Sequence, residues 1–403
     1  MHDVNLCGRT VLVRVDYNVP LTGRGKISDD LRIRASLPTL LYLQEQRCKI
    51  VIISHLGRPK GRDAQYSLAV VAEHLAKLLH HPVRFVDDCV GDKVRQAVRA
   101  ATPGDIVLLE NLRFYAEEEA DDMTFARAVV KATGADYFIQ DGFAVTHRAH
   151  ASTRAIALCL PGLAGDLLVR EYEALTKVMM RPKRPLVAIV GGAKIADKIE
   201  LIERLIDRAD TILIGGAMAN TFLAYRGHEM GASKRESDQW AVLARIYERA
   251  EAKVGADRVD DFLVLPRDVA VASSPESDEP RREVTVDSLA ADDMALDIGT
   301  RTIEQFTAVI REAHTVLWNG PLGFTEQERF AIGSARVAMA IAQHPKLTSV
   351  IGGGDTADFI LKWDGNDGAN FTHVSTGGGA SLELMSGKKL PGIESLLDAY
   401  GVR

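Results

Sequence analysis

Short runs of Val, Ile and Leu alternate with amphipathic stretches along almost the whole chain, and this alternation restricts the fold more than any other feature. Thr10–Val15, Lys49–Ile53, Val83–Val86, Ile106–Leu109 and Tyr137–Ile139 read as strands. They lack the in/out alternation of a half-exposed strand, as expected of parallel strands covered on both faces. Helical patterns separate them at Asp29–Gln46, Ser67–Leu79, Asp92–Ala100 and Asp122–Thr133. A further helix, Leu167–Met180, repeats apolar residues at Leu168, Tyr172, Leu175 and Met179 and stops at Arg181-Pro182. The strand–helix order then resumes at Leu186–Val190, Thr211–Ile214, Phe262–Leu265, Thr315–Trp318, Ser349–Ile351 and His373–Ser375. The expected class is α/β: two doubly wound, Rossmann-like parallel-sheet domains joined by a hinge helix. The boundaries fall at 1–166, 167–182 for the connecting helix, and 183–384, with a tail at 385–403.

At roughly 150 residues per domain, the 403 residues suit two or three domains. Lys plus Arg is 49 and Asp plus Glu is 55, giving −6, which argues against general nucleic-acid binding. The longest stretch free of acidic and basic residues lies between Asp210 and Arg226, shorter than the ~20 apolar residues of a membrane span. The opening MHDVNLCGR has no apolar signal region, so a cytoplasmic location is expected. Cys7, Cys48, Cys89 and Cys159 form no C-x-x-C pair and read as reduced structural thiols. His74, His80 and His81 read as surface residues, Ser273–Glu283 as a surface loop or hairpin, and the acidic run Glu117–Asp122 as a solvated helix start without chemistry.

Glycine clusters follow strand after strand in the second half: Gly191-Gly192, Gly215-Gly216, Asn319-Gly320-Pro321, Gly352-Gly353-Gly354 and Gly377-Gly378-Gly379. In a parallel sheet all five reach the same crest. There glycine lets backbone N–H groups approach an anion, and the next helix adds its positive end. Any one turn also has a purely steric explanation; five together favour a phosphate-rich ligand. No G-x-x-x-x-G-K-[ST] loop is present. Gly352-x-Gly354-x-x-Ala357 fits the loose dinucleotide pattern, but the following strand ends in Ser375-Thr376-Gly377 rather than an acid. Asp355 sits inside the glycine turn, where a carboxylate beside polyphosphate calls for an intervening Mg2+, which favours Mg-ADP or Mg-ATP over a nicotinamide cofactor.

The first half carries the complementary charge. Arg14, Asp16, Asn18, Arg32, Arg34, His55, Arg58, Arg113, His147, Arg148 and His150 lie at strand ends or in the loops after them. Guanidinium groups in that setting suit a small, multiply anionic substrate, although each arginine alone is explained by a surface ion pair. His147-x-x-His150 has no Cys or H-E-x-x-H context, so it is not read as a metal site.

At this point the chain resembles the phosphoglycerate kinase family from end to end. The resemblance rests on RVDYNVP (Arg14–Pro20), SHLGRPKG (Ser54–Gly61), ENLRF (Glu110–Phe114), THRAHAS (Thr146–Ser152), GGAKIADKI (Gly191–Ile199), WNGPLG (Trp318–Gly323), GGGDTADF (Gly352–Phe359) and STGGGASLELMSGKKLPG (Ser375–Gly392). It implies reversible phosphoryl transfer from 1,3-bisphosphoglycerate to Mg-ADP, by hinge closure and charge neutralisation without a general base, in a cytoplasmic monomer that binds neither nucleic acid nor membrane. It also implies that Asp16, Tyr17, Asn18, Arg32, His55, Leu56, Gly57, Arg58, Arg113 and Arg148 hold phosphoglycerate, with His147 and His150 supporting them. The nucleotide would lie on Gly192, Lys194, Lys198, Gly215, Gly216, Ala295, Asn319, Pro321, Glu326 at the ribose, Gly353, Gly354, Asp355 as the Mg2+ contact, and Thr356. Arg32, Lys194 and the N–H groups of Gly377, Gly378 and Gly379 would serve the transfer itself, and the tail from 385 would pack back on the first domain. Gly142 and Ala144 stand where the family typically has Ala and Gly, Ala217 and Ala295 replace Gly, Thr300 replaces Pro, and Thr325 replaces Phe. The competing readings are a nicotinamide-dependent dehydrogenase, opposed by the missing strand-end acid, and a catalytically silent binding protein on the same scaffold, opposed by Arg32, Lys194 and Asp355.

Overall fold

A computed structural model describes residues 1–399. The chain divides into two compact units, one of Met1–Glu173 with the segment from Lys389 on, the other Ala174–Lys388. The division falls within a 15-residue helix, Asp166–Met180.

The first unit is built on six strands: β1 (Thr10–Arg14), β2 (Lys49–Ile53), β3 (Val83–Val86), β4 (Ile106–Leu109), β5 (Tyr137–Gln140) and β6 (Gly162–Ala164). They form one sheet in the order β3-β4-β2-β1-β5-β6, with every pairing parallel. Val11, Val13, Ile50, Ile52, Ile106, Leu108 and Ile139 pack with helix residues Leu40, Leu43, Val71 and Leu75 in one core. Burial of both sheet faces is the physical reason these strands read as unbroken apolar runs. Helix ends follow local chemistry: Asp122 accepts from the Phe125 N–H at 2.7 Å, and Gly134 closes Met123–Thr133 in the left-handed conformation. The single helix expected at Asp29–Gln46 is instead two, Leu31–Ala35 and Leu37–Glu45, because Pro38 cannot donate to the carbonyl one turn earlier.

The second unit has its own six-stranded parallel sheet, ordered β15-β14-β13-β7-β8-β9. Its strands are β7 (Leu186–Val190), β8 (Thr211–Ile214), β9 (Leu263–Val264), β13 (Thr315–Asn319), β14 (Thr348–Gly352) and β15 (His373–Val374). The sequence reading lacks a second element, a three-stranded antiparallel sheet of β10 (Asp268–Ala272), β11 (Arg282–Thr285) and β12 (Met294–Ile298), in the order β11-β10-β12. The segment Ser273–Glu283 is accordingly the connection of the β10–β11 hairpin, with Arg282 and Glu283 already in strand.

Two further expectations need correction. The run Glu117–Asp122 is not wholly solvated: Glu118 is buried and accepts from the Ser152 N–H at 3.0 Å and hydroxyl at 2.5 Å. Of the three histidines read as surface, His74 is half-buried and bonds Asp30 at 2.8 Å.

Met385–Lys388 group with the second unit: Met385 is buried beside Gly352, and Lys388 pairs with Glu200 at 2.6 Å. The helix Pro391–Ala399 packs on the first unit, where the Gly392 N–H donates to Thr146 O at 2.9 Å. Residues 400–403 of the expected tail lie outside the described residues. Among the described residues no helix is long and apolar enough to cross a membrane.

Candidate functional site

In the first unit β4, β2, β1 and β5 are neighbours and run parallel, so their carboxyl ends share one edge. Arg14 closes β1, with Asp16 and Asn18 just beyond. His55 and Arg58 follow β2, Arg113 follows β4, and His147, Arg148 and His150 follow β5. Topology alone therefore gathers residues that are more than 130 positions apart in sequence.

The arginines divide by burial. Arg14 is 1% exposed; it donates to Ser152 Oγ at 2.8 Å, to Val15 O, and to His55 Nδ1 at 3.2 Å. Arg113 is also buried, donating to Gly57 O at 2.6 Å and pairing with Glu119 at 3.2 Å. Burial lowers both guanidinium pKa values, with nearby carboxylates opposing the shift. Arg32 is partly exposed and held by Asp16 at 2.7 Å, Arg58 is exposed, and Arg148 is half-buried against His147 Nε2 at 3.2 Å. Two arginines thus build the floor, and three reach toward solvent with donors that can meet an anion.

The two buried histidines take their state from this field. A guanidinium can only donate, so His55 Nδ1 accepts from Arg14 and the ring proton sits on Nε2. Burial, then Arg14, Arg113, Arg32 and Arg148, hold His55 well below its ordinary value. His150 is pushed down to about 4, first by burial and then by Arg14 and Arg113. Asp16 stands 3.8 Å from His55 and Glu118 3.9 Å from His150; at His150 the charge of Glu119 pulls the other way, but burial and the arginines prevail. Glu118 itself is raised, by burial above all.

Other expected residues have their side chains or backbone groups bound within the fold. Tyr17 is fully buried in the core with its hydroxyl on Ser36 at 3.0 Å, and Leu56 is buried with its N–H and carbonyl bound to the Asn111 side chain. Gly57 has φ of +63° and receives an Asn18 oxygen on its N–H at 2.8 Å; a Cβ there would lie 2.4 Å from the Tyr66 ring. The sequence reading passed over Glu118, Ser152 and Asn111. All three are short-range neighbours of named residues, but only the fold shows what they bind.

In the second unit the glycine turns separate into two kinds. Gly191-Gly192, Gly215-Gly216 and Gly320-Pro321 interlock: the Gly191 N–H donates to Asn319 O at 2.9 Å, Gly192 to Pro321 O at 2.8 Å, and Gly216 to Leu322 O at 3.0 Å. A Cβ on Gly320 would stand 2.1 Å from Gly191 O, and one on Gly216 would stand 2.6 Å from Gly192 N. These glycines are small because backbone meets backbone. Gly354 and Gly378 instead face open space, and Gly353 (φ +94°) heads the helix Gly354–Asp364. The Gly377 N–H already donates to Ser375 Oγ at 3.1 Å, which leaves Gly378 and Gly379 to present theirs.

Lys198 and Asn319 join the two kinds of turn. Lys198 Nζ donates to Asn319 Oδ1, and burial pushes the amine down to about 8 against the pull of Asp355 and Asp197. Asn319 Nδ2 is buried without an acceptor among the described residues. Thr356 is buried and its hydroxyl accepts from the Gly320 N–H at 2.6 Å. Lys194, Asp355 and Glu326 are exposed. Ala295 lies on β12, partly buried against the core cluster of Leu223, Met230 and Val269, and its N–H donates to Ser233 Oγ at 2.9 Å. The next residue, Leu296, accepts from Phe324 at 2.8 Å, so β12 also tethers the loop that carries Glu326. Among the described residues no three His, Cys, Asp or Glu side chains cluster as a metal site. Asp355, a lone exposed carboxylate at a helix start beside open glycines, fits a Mg2+ that arrives on phosphate oxygens and keeps most of its water.

The profile of the phosphoglycerate kinase family matches residues 1–388. The phosphoglycerate kinase of Pelotomaculum thermopropionicum is 44% identical over 399 residues, covering 99% of this chain and 98% of that protein. That of Desulforudis audaxviator is 46% identical over 397 residues, covering 98% of each. Among solved structures, phosphoglycerate kinase from Coxiella burnetii superposes with a TM-score of 0.86 at 36% identity, covering 99% of this chain and 98% of the other. The enzyme from Pyrococcus horikoshii does so with 0.84 at 33%, covering 100% and 99%.

Proposed function

The chain belongs to the phosphoglycerate kinase family, and on that premise we propose that it moves a phosphoryl group reversibly between 1,3-bisphosphoglycerate and Mg-ADP, as a cytoplasmic monomer. The observation that carries this reading is the arginine cluster on four adjacent strand ends of the first unit, around two histidines kept neutral. Such a pocket suits a small polyanion. The second unit supplies open glycine turns beside Lys198 and Asp355, which suit a nucleoside diphosphate.

The chemistry asks little of acid–base groups. In the direction of acyl-phosphate synthesis the nucleophile is a carboxylate, already ionised at neutral pH. Positioning and charge neutralisation are then the main tasks. Arg58 and Arg148 bind the substrate phosphate, and Arg32, oriented by Asp16, binds the carboxyl end. His55 offers Nε2–H as a neutral donor. Lys194 meets the phosphoryl group in flight, while Gly378 and Gly379 donate backbone N–H groups to its oxygens. Asn319 Nδ2, a buried donor without an acceptor, and Lys198 face the nucleotide phosphates. Asp355 would hold Mg2+, which when bound would supply positive charge against the nucleotide phosphates. Transfer requires the two ligands to meet away from water, which assigns a hinge role to the helix Asp166–Met180 and the segment near Ser375-Thr376.

The dehydrogenase reading has no support: β15 ends at Val374, and Ser375 stands where a ribose-binding acid is required. The test is ATP formation from 1,3-bisphosphoglycerate and Mg-ADP. Wild-type protein turns over and Lys194→Ala loses at least a hundredfold in kcat. A wild-type protein without this activity refutes the reading, and equal rates in both proteins remove Lys194 from its role.

A further inference from the structure

The loop that carries Glu326 closes at both ends against one buried side chain, by a hydrogen bond at Gly333 and by close packing at Gly323. Asp297, on β12, is 4% exposed. Its Oδ2 accepts from the Gly333 N–H at 2.8 Å, and its Oδ1 from the Ile298 N–H at 2.9 Å. Arg281, from the β10–β11 connection, stands at 3.5 Å, donates to Ile298 O at 2.8 Å and pairs with Glu283. Both ends of the loop are glycine where they press on this carboxylate. A Cβ at Gly323 would lie 2.3 Å from Oδ1, and one at Gly333 would lie 2.4 Å from it. Between these ends the ties among the described residues are short-range, Gln327 N–H to Phe324 O, Phe330 N–H to Gln327 O and Ala331 N–H to Glu328 O, apart from the Phe324–Leu296 tether, buried Phe330, and Arg329, which clamps the carbonyls of Pro275, Ser277 and Glu279.

We propose that Asp297 is a positioning residue for the nucleoside end of the nucleotide: by fixing Gly323 and Gly333 it sets where Glu326 stands. The inference rests on the reading of the second unit as a nucleotide site. A carboxylate is required because two N–H groups and a guanidinium converge on it, and all of them donate. An amide of the same shape has one acceptor. Asn at 297 that turns its NH2 toward Gly333 and Arg281 loses the loop's hydrogen bond; one that turns it toward Ile298 sets two donors face to face on β12 and displaces the side chain on which Gly323 and Gly333 close. The phosphate turns at Gly353–Asp355 and Gly378 are separate elements, so inorganic pyrophosphate is expected to be indifferent to the change.

The experiment is calorimetric binding of ADP, inorganic pyrophosphate and 3-phosphoglycerate to the full chain at pH 8. There the Asp297 carboxyl, pushed up to about 7 by burial, is ionised. Asp297→Asn is expected to weaken ADP about tenfold and to leave pyrophosphate and 3-phosphoglycerate within twofold. In a double-mutant cycle with Glu326→Gln, the second change adds little once the first is made, because both act through the same group. Additive losses, or equal weakening of ADP and pyrophosphate, overturn the proposal. Should Asp297→Asn fail to fold, Arg281→Gln keeps the carboxylate but removes its cation. It is expected to give a smaller loss for ADP with the same dependence on Glu326, and no loss there is equally fatal. A wild-type protein that does not bind ADP refutes the nucleotide reading itself, which is a different result.

Discussion

Asp141 offers the sharpest quantitative test. It lies one residue past β5 and is fully buried, with Oδ1 accepting from Thr39 Oγ at 2.8 Å and from the Leu167 N–H at 3.0 Å at the start of the helix Asp166–Met180. Oδ2 is buried without a donor among the described residues. Burial, aided by the negative charge of Asp166, lifts the carboxyl from its ordinary 3.8 up to about 7. A folded-state pKa above the unfolded one means that the native state holds the proton more tightly. The associated stability is complete below about pH 4 and is lost as pH rises toward 7. That interval corresponds to about 4 kcal/mol as a ceiling, and about 2 kcal/mol is expected once surrounding groups relax. Asn keeps the accepting oxygen and cannot ionise. Asp141→Asn should therefore match the wild type near pH 4, gain on it as the pH rises, and exceed it by about 2 kcal/mol at pH 8. Urea unfolding followed by far-ultraviolet circular dichroism measures this. The three tryptophans, Trp240, Trp318 and Trp363, all belong to the second unit, so their fluorescence serves as the internal control. A stability difference that is the same at pH 4 and pH 8 would refute the argument.

The glycine turns give a paired prediction. Gly320→Ala forces a methyl onto Gly191 O at positive φ and should cost several kcal/mol, seen as a large fall in Tm. Gly354→Ala meets nothing within 4 Å; Tm should hold within about 2 °C while KM for ADP rises several-fold. His55 and His150 should show no imidazole titration between pH 8 and 6 in NMR spectra of the ligand-free protein, since both are held below their ordinary value; an inflection near 6.5 contradicts the arginine field. Arg58→Ala should raise KM for 3-phosphoglycerate tenfold or more and leave Tm unchanged, because the side chain is exposed and makes no hydrogen bond or ion pair among the described residues.

The sequence by itself determined the architecture. Val/Ile runs without alternation, separated by helical stretches, read as parallel strands covered on both faces, and once the strands are parallel, everything that follows them in sequence lands on one edge. The gathering of Arg14, His55, Arg113 and Arg148 was therefore legible from strand ends alone. The antiparallel sheet was not. β10 is buried along its whole length, so DVAVA shows no period of two in exposure, and β11 is four mostly exposed residues. Five identical-looking glycine clusters became three interlocked turns and two open ones only when distances between strands were known, because what a glycine is for depends on the atoms facing it. In the same way, Tyr17 moved from the expected ligand set into the core, and Glu118 from a solvated run into a buried partner of Ser152. Residue type states what a side chain can do. Burial and the charges around it, which tertiary structure alone sets, decide which of those things it does.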